Sequence, residues 1–185
     1  MTRRGRGSMA EARAMDVVVA PAAPLGMITL RGDLAALAPV CAAVTGAAMP
    51  GVRKAEVSGG RGIVWMSSDE VLLLVAPADV AGALAQIGTA LAGQHHLAVD
   101  VSDARAAFTL TGPAAREALG KLTPTDLRPT AFGPGDARRS HLGQVAAAFW
   151  MAQGGAVTVV CFRSVADYML ELLRVSVAAG PVGYA

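Results

Sequence analysis

The chain has 185 residues, 54% of them hydrophobic, 16% charged and 4% aromatic, with a formal net charge of +2. Every apolar run is broken by Gly, Pro or a charge short of the roughly 18–20 residues that a spanning helix needs, which excludes a transmembrane helix. The positive charge sits in Arg3, Arg4, Arg6 and Arg13, and aromatics are scarce, so no basic, aromatic-studded stripe is available for nucleic acid.

A mean hydropathy of +0.47, in one ordinary domain or two small fused halves, demands a large core and an extensive subunit contact. The isolated chain is therefore expected to self-associate. Residues 1–16 read as a disordered basic tail, because Arg3-Arg4 is not followed by the apolar core of a secretory signal. Val17 to Pro24 is an extended, Pro-interrupted lead-in. Gly26 to Arg31 is a short strand. Asp33 is placed to N-cap a helix whose stripe is Leu34, Leu37, Cys41 and Val44, and Gly46 stops it. Arg53 to Ser58 and Arg61 to Met66 are strands around a Gly59-Gly60 hairpin turn. After the turn Ser67-Ser68-Asp69, Val71 to Ala76 is apolar throughout, the pattern of a strand covered on both faces. Val80, Leu84, Ile87 and Leu91 give the next helix, and His95 to Val101 returns as a strand.

Ala106 to Thr111 is a further strand. Pro113 to Leu122 is a helix with Glu117 and Lys121 paired outward. Thr123 to Arg139 is a long loop carrying Pro124, Pro129 and Pro134. His141 to Trp150 and Ala156 to Phe162 are strands separated by the turn Gln153-Gly154-Gly155. Ser164 and Asp167 form a capping box for the last helix, and residues 178–185 are a loose tail. Leu30-Arg31-Gly32 matches Leu110-Thr111-Gly112, and Trp65-Met66 matches Trp150-Met151. Residues 17–104 and 105–177 thus read as two half-repeats, strand–helix–strand–strand–helix, with a further strand in the first. The fold class is α+β, a tandem pair of split β-α-β units with mainly antiparallel sheet.

Groups with reactive potential are few. Ser58-Gly59-Gly60-Arg61-Gly62 joins two strands, not a strand and a helix, so it is a turn and not a phosphate loop. His95 and His96 are adjacent on a strand and point to opposite faces, and His141 stands alone, so no metal site is expected. Cys41 and Cys161 lie in apolar segments as small buried hydrophobes, which suits a reducing compartment. Asp100, Ser102, Asp103 and Arg105 are the best polar constellation, and it reads two ways. One is a carboxylate poised for acid–base work or a ligand clamp. The other is a corner in which Ser102 or Asp103 bonds turn N–H groups and Arg105 pairs an acid. Asp126, with Arg128, carries the same two readings.

Several ordered motifs resemble the gamma-subunit family of heterotetrameric sarcosine oxidases. They are Asp100-Val-Ser-Asp-Ala-Arg-Ala, Leu110-Thr-Gly-Pro-Ala-Ala-Arg116, Thr125-Asp-Leu-Arg-Pro129, Phe132-Gly-Pro-Gly135, Phe162-Arg-Ser-Val-Ala-Asp-Tyr168 and, in the front half, Trp65 to Val75. The resemblance implies a cytoplasmic complex of alpha, beta, gamma and delta subunits. That complex demethylates sarcosine to glycine with oxygen and tetrahydrofolate, forming hydrogen peroxide. Its FAD, FMN, NAD and tetrahydrofolate sites lie on other subunits, and this chain binds none of them by itself. It also implies the fold of the folate-binding domain of the glycine-cleavage aminomethyltransferase. Members of that wider group carry acidic residues in the turn that is Met151-Ala-Gln-Gly-Gly155 here, and this turn has no carboxylate. The expected role is structural, without catalytic residues. The interface or vestigial-pocket candidates are Asp100, Ser102, Asp103, Arg105, Asp126, Arg163, Asp167 and Tyr168. The competing expectation is a stand-alone folate-binding or aminomethyltransferase-like module; a third is a free-standing scaffold.

Overall fold

The computed structural model describes residues 15–182, so the basic-tail reading falls largely outside the described residues. Ten strands and four helices follow in order: β1 (Val18–Pro21), β2 (Gly26–Arg31), α1 (Leu34–Thr45), β3 (Ala55–Ser58), β4 (Arg61–Ser67), β5 (Glu70–Val75), α2 (Val80–Ala90), β6 (Leu97–Asp100), β7 (Arg105–Thr111), α3 (Ala115–Gly120), β8 (Ala137–Leu142), β9 (Val145–Met151), β10 (Val157–Phe162) and α4 (Ala166–Ala178). They build two five-stranded sheets, β3-β4-β5-β2-β6 and β1-β7-β10-β9-β8. Every strand pair is antiparallel.

Alternation along the central strands sorts the apolar residues into three layers. In β5, Val71, Leu73 and Val75 face α1 and α2, while Leu72 and Leu74 face the other sheet. In β10, Val157, Val159 and Cys161 face α3 and α4, while Val160 faces inward. The result is helices, sheet, sheet, helices, with Met27, Val64, Met66, Leu72, Leu74, Ala148, Trp150 and Val160 in the apolar middle layer. This α+β, mainly antiparallel architecture is the one the sequence predicts.

Local chemistry explains the elements that match expectation. Asp33 Oδ1 accepts from Ala35 N at 3.0 Å, and Gly46 closes α1 at φ 76°, where a side chain would be strained. Gly59 and Gly60 both take positive φ in the β3–β4 hairpin.

Elsewhere the structure corrects the sequence. Val18–Pro21 is a strand, not a lead-in: it pairs with β7, Val19 opposite Leu110. It occupies beside β7 the place that β6 occupies beside β2. His141 to Trp150 is not one strand but the end of β8 and most of β9, reversed at Gly143, φ 56°; β8 takes up the last residues of the supposed loop. The strand expected from His95 begins at Leu97. Lys121 turns from Glu117 to the carbonyls of Ser176 and Gly180. The Ser164–Asp167 capping box is absent. Ser164 lies inside a 3-10 turn, Arg163–Val165, so Val165 stands at the helix start with no side-chain cap. The start of the expected loose tail is held, since Val182 N donates to Glu117 Oε1.

The chain crosses from one sheet to the other at residues 100–105, and this corner is tied down. Asp100 Oδ1 accepts from the Ser102 amide at 2.9 Å and from its hydroxyl at 2.6 Å. Ser102 Oγ accepts from Met27 N at 2.9 Å, and Met27 O accepts from Val101 N at 2.8 Å. Arg163 donates from Nε to Asp103 O at 2.7 Å and from Nη2 to Arg105 O at 2.7 Å, while its amide donates to Ala104 O at 2.9 Å. One guanidinium thereby satisfies carbonyls that neither sheet can reach.

Two predictions test this framework. Phe149 is fully buried and meets Phe132 edge-to-face at 5.7 Å. Phe149→Ala should cost about 3–5 kcal/mol, read as a lower urea midpoint by circular dichroism. Ser102→Ala removes the acceptor for Met27 N and should cost about 1 kcal/mol. The Ser102 hydroxyl and amide hold the Asp100 carboxyl below its ordinary pKa. The stability this contributes is full above the unfolded pKa of about 3.9 and is lost as pH falls through the lower folded value. The gap between wild type and Ser102→Ala should therefore narrow in midpoints measured below about pH 4.

Candidate functional site

The corner opens on a surface groove of about 460 Å³ between the β1–β2 connection and the start of α4. Five of the residues expected to mark a site meet there: Ser102, Asp103, Arg105, Arg163 and Asp167. Asp100 stands behind them through its bonds to Ser102. The other two lie apart. Asp126, on the α3–β8 connection, pairs with Arg128 at 2.7 Å, whose hydrogen bonds hold its carboxyl down at about 2. Tyr168 is 53% exposed on α4, beside the Gly143 turn.

Most polar groups of the corner are committed to backbone. Asp100 and Ser102 organise the turn, and Arg163 holds three carbonyls, those of Ser102, Asp103 and Arg105. The corner reading expects Ser102 or Asp103 to bond turn N–H groups and Arg105 to pair an acid; instead Asp100 takes the Ser102 amide, Ser102 Oγ takes Met27 N of β2, and Arg105 pairs no acid. Its guanidinium lies over the Phe162 ring at 5.5 Å, and its buried Nε has no hydrogen-bond partner. Burial lowers its pKa, Glu70 offsets that loss, and Arg139 adds to it.

Arg105 points toward one end of the middle layer, a place sequence reasoning missed. Glu70, only 7% exposed, sits there with Arg139 Nη1 at 3.6 Å from its Oε2. A small cavity of about 50 Å³ lies between Met66, Arg105, Arg139, Val160 and Phe162. Met66, Arg139 and Ala146 also line a wider groove of about 810 Å³, rimmed by Arg53, Trp65, Thr125 and His141. The missed signal is alternation in Ala137–Leu142, where Arg139 and His141 share a face with buried Ala137. Reading most of that stretch as loop concealed it. Chemically, this basic mouth is suited to holding carboxylates or another anion.

Burial pushes the Cys41 thiol up to about 12 and raises that of Cys161, so neither is poised as a nucleophile. Among the described residues no group of three His, Cys, Asp or Glu is placed to hold a metal ion, and no helix is long and apolar enough to cross a membrane.

Comparison with known proteins places this architecture. Residues 31–179 match the model of the sarcosine oxidase, gamma subunit family. The chain is 34% identical over 112 residues to a sarcosine oxidase subunit gamma from Arthrobacter sp, covering 59% of this chain and 54% of that protein. It is 33% identical over 112 residues to one from Corynebacterium sp. (strain U-96), covering 59% and 53%. The chain thus spans about half the length of the curated relatives it matches. Among solved structures, a chain of the heterotetrameric sarcosine oxidase from Corynebacterium sp. U-96, in complex with pyrrole 2-carboxylate, superposes with TM-score 0.78 at 26% identity, covering 90% of this chain and 86% of that one. The glycine cleavage system aminomethyltransferase T from Bartonella henselae superposes with TM-score 0.65 at 11% identity, over 86% of this chain and 46% of that one, a likeness of fold alone. Matched over most of its length, this chain belongs to the sarcosine oxidase gamma subunit family.

Proposed function

We propose that this chain is a non-catalytic subunit of a four-subunit sarcosine oxidase, the cytoplasmic complex that oxidatively demethylates sarcosine to glycine with oxygen and tetrahydrofolate and forms hydrogen peroxide. Its partners are the alpha, beta and delta subunits, and FAD, FMN, NAD and tetrahydrofolate are held by those other chains. The observation that carries this reading is the commitment of the corner: the side chains best suited to chemistry, Asp100, Ser102 and Arg163, are engaged in fastening one sheet to the other. A carboxylate or hydroxyl bound this way is a poor acid, base or nucleophile, and a good strut. The exposed apolar side chains support an assembly role. Val18, Leu97, Val99, Phe162, Tyr168 and Val175 are all at least 40% exposed, a surface that a subunit contact would cover.

Co-expression with the alpha, beta and delta chains tests this. The tagged chain should co-elute with flavin absorbance in a high-mass species that forms peroxide from sarcosine. Omitting this chain should lower the yield of that species. The isolated chain should show no flavin spectrum and no tetrahydrofolate binding by calorimetry. Stoichiometric tetrahydrofolate binding by the isolated chain would instead establish the aminomethyltransferase-like reading.

A further inference from the structure

The basic mouth at the end of the middle layer is unused by the corner. Arg105 brings to it a half-buried guanidinium whose Nε has no partner. A positive group placed this way has lost part of its hydration without gaining an acceptor, which is costly unless something else supplies one. Glu70 supplies only part of the compensation, since its carboxylate also faces Arg139. Arg53, which is exposed, extends the positive rim outward beside Trp65, Thr125 and His141.

The backbone beside the mouth is also incomplete. β8 is the last strand of its sheet. Its outer edge is used at Ala137, whose N donates to Arg53 O at 2.8 Å next to the Lys54–Asp136 bridge and whose O accepts from Arg138 Nη1 at 2.8 Å. Arg139 and His141 project their backbone groups to the same side as Ala137, because alternate residues of a strand do so. Between the Arg53 contact at Ala137 and the Gly143 N to Leu122 O bond at 2.7 Å, no backbone group among the described residues pairs with Arg139 or His141 on that side. An unpaired edge is a template for another strand. Its basic flank rejects this chain's own N-terminal arginines by like charge and favours an acidic segment.

The geometry points to this mouth as the docking site for an extended, acidic segment of a partner subunit. That segment adds as a strand to the outer edge of β8 and places carboxylates against Arg53 and Arg139. Main-chain bonds to Arg139 and His141 give the segment its direction; the guanidinium groups select its charge. The inference rests on the assembly reading above.

The test uses the co-expressed complex. Arg53→Glu combined with His141→Glu reverses the rim without touching Glu70, Arg105 or Arg139. The double variant should keep the wild-type circular dichroism spectrum and bind the remaining subunits at least about tenfold more weakly. Arg53→Lys should stay close to wild type. Raising the salt concentration should weaken wild-type association and narrow the difference from the double variant. A p-benzoylphenylalanine placed at position 141 should cross-link, within the complex, to an acidic stretch of another subunit. Should the double variant misfold, the cross-link and the salt dependence of the wild-type complex decide the matter. Equal assembly of wild type and a folded double variant overturns the inference alone. So does a cross-link only to a second copy of this chain, or protection of the mouth by inorganic phosphate with no cross-link to any chain. A wild-type chain that does not associate with the other subunits overturns the assembly reading, and this inference with it.

Discussion

The whole structure depends on the apolar layer trapped between the two sheets. Leu72, Leu74, Val160 and Trp150 are each no more than 2% exposed, and they come from central strands whose opposite faces are also buried under helices. A strand buried on both faces has little place for polar residues, which is why Val71–Val75 is apolar throughout and Val157–Phe162 nearly so. The high mean hydropathy is therefore largely a consequence of stacking four layers in a short chain. Polar residues are pushed to the sheet ends, where the chain must turn and cross. Both the corner at Asp100–Arg105 and the basic mouth at Arg139 lie at such ends.

That layout explains how much was legible in the sequence. Period-two and helical patterns marked the central strands and α1, α2 and α4, because each buries a contiguous face. Asp33 and Gly46 bounded α1 through local hydrogen bonding and φ alone. Features set by distant partners were not legible. Val18–Pro21 has little alternation of its own and becomes a strand because β7 needs a neighbour. The β8–β9 reversal rests on Gly143, flanked by no second turn residue, so it did not stand out as punctuation. Arg105 reads as an obvious salt-bridge donor beside Asp103, yet strand alternation turns its side chain into the inter-sheet space, away from that acid.

The matched motifs of the two halves give the sharpest case. Leu30 and Leu110 occupy equivalent places, opposite Val71 and Val157 in their sheets. By the same registers Trp65 lies opposite Val71, and Met151 lies opposite Val157. The structural counterpart of Trp65 is thus Met151, and that of Val64 is Trp150. The Trp-Met match in the sequence is out of step by one residue, and one residue reverses the face. Trp150 fills the middle layer at 2% exposure, whereas Trp65 is only half-buried and lines the basic groove. A pair that looks like a repeated core element serves the core in one half and a surface opening in the other.

The two sheets also differ in how their outer strands are supplied. In the first sheet the outer strand beside β2 is supplied by the chain that follows α2. In the second, the chain leaving α4 supplies no such strand among the described residues, and β1 from the far end of the sequence fills the place beside β7. The two sheets are therefore held by both the corner and a strand that reaches from one end of the chain to the other half. Separating them would cost the β1 pairing, the Arg163 bonds and the middle layer together. A body so cross-tied resists internal hinging, and it can present its rim residues, including Arg53, His141 and Phe162, at fixed spacing. Rigid presentation of exposed apolar and basic groups lowers the ordering cost of any contact made through them, which fits the assembly role proposed above.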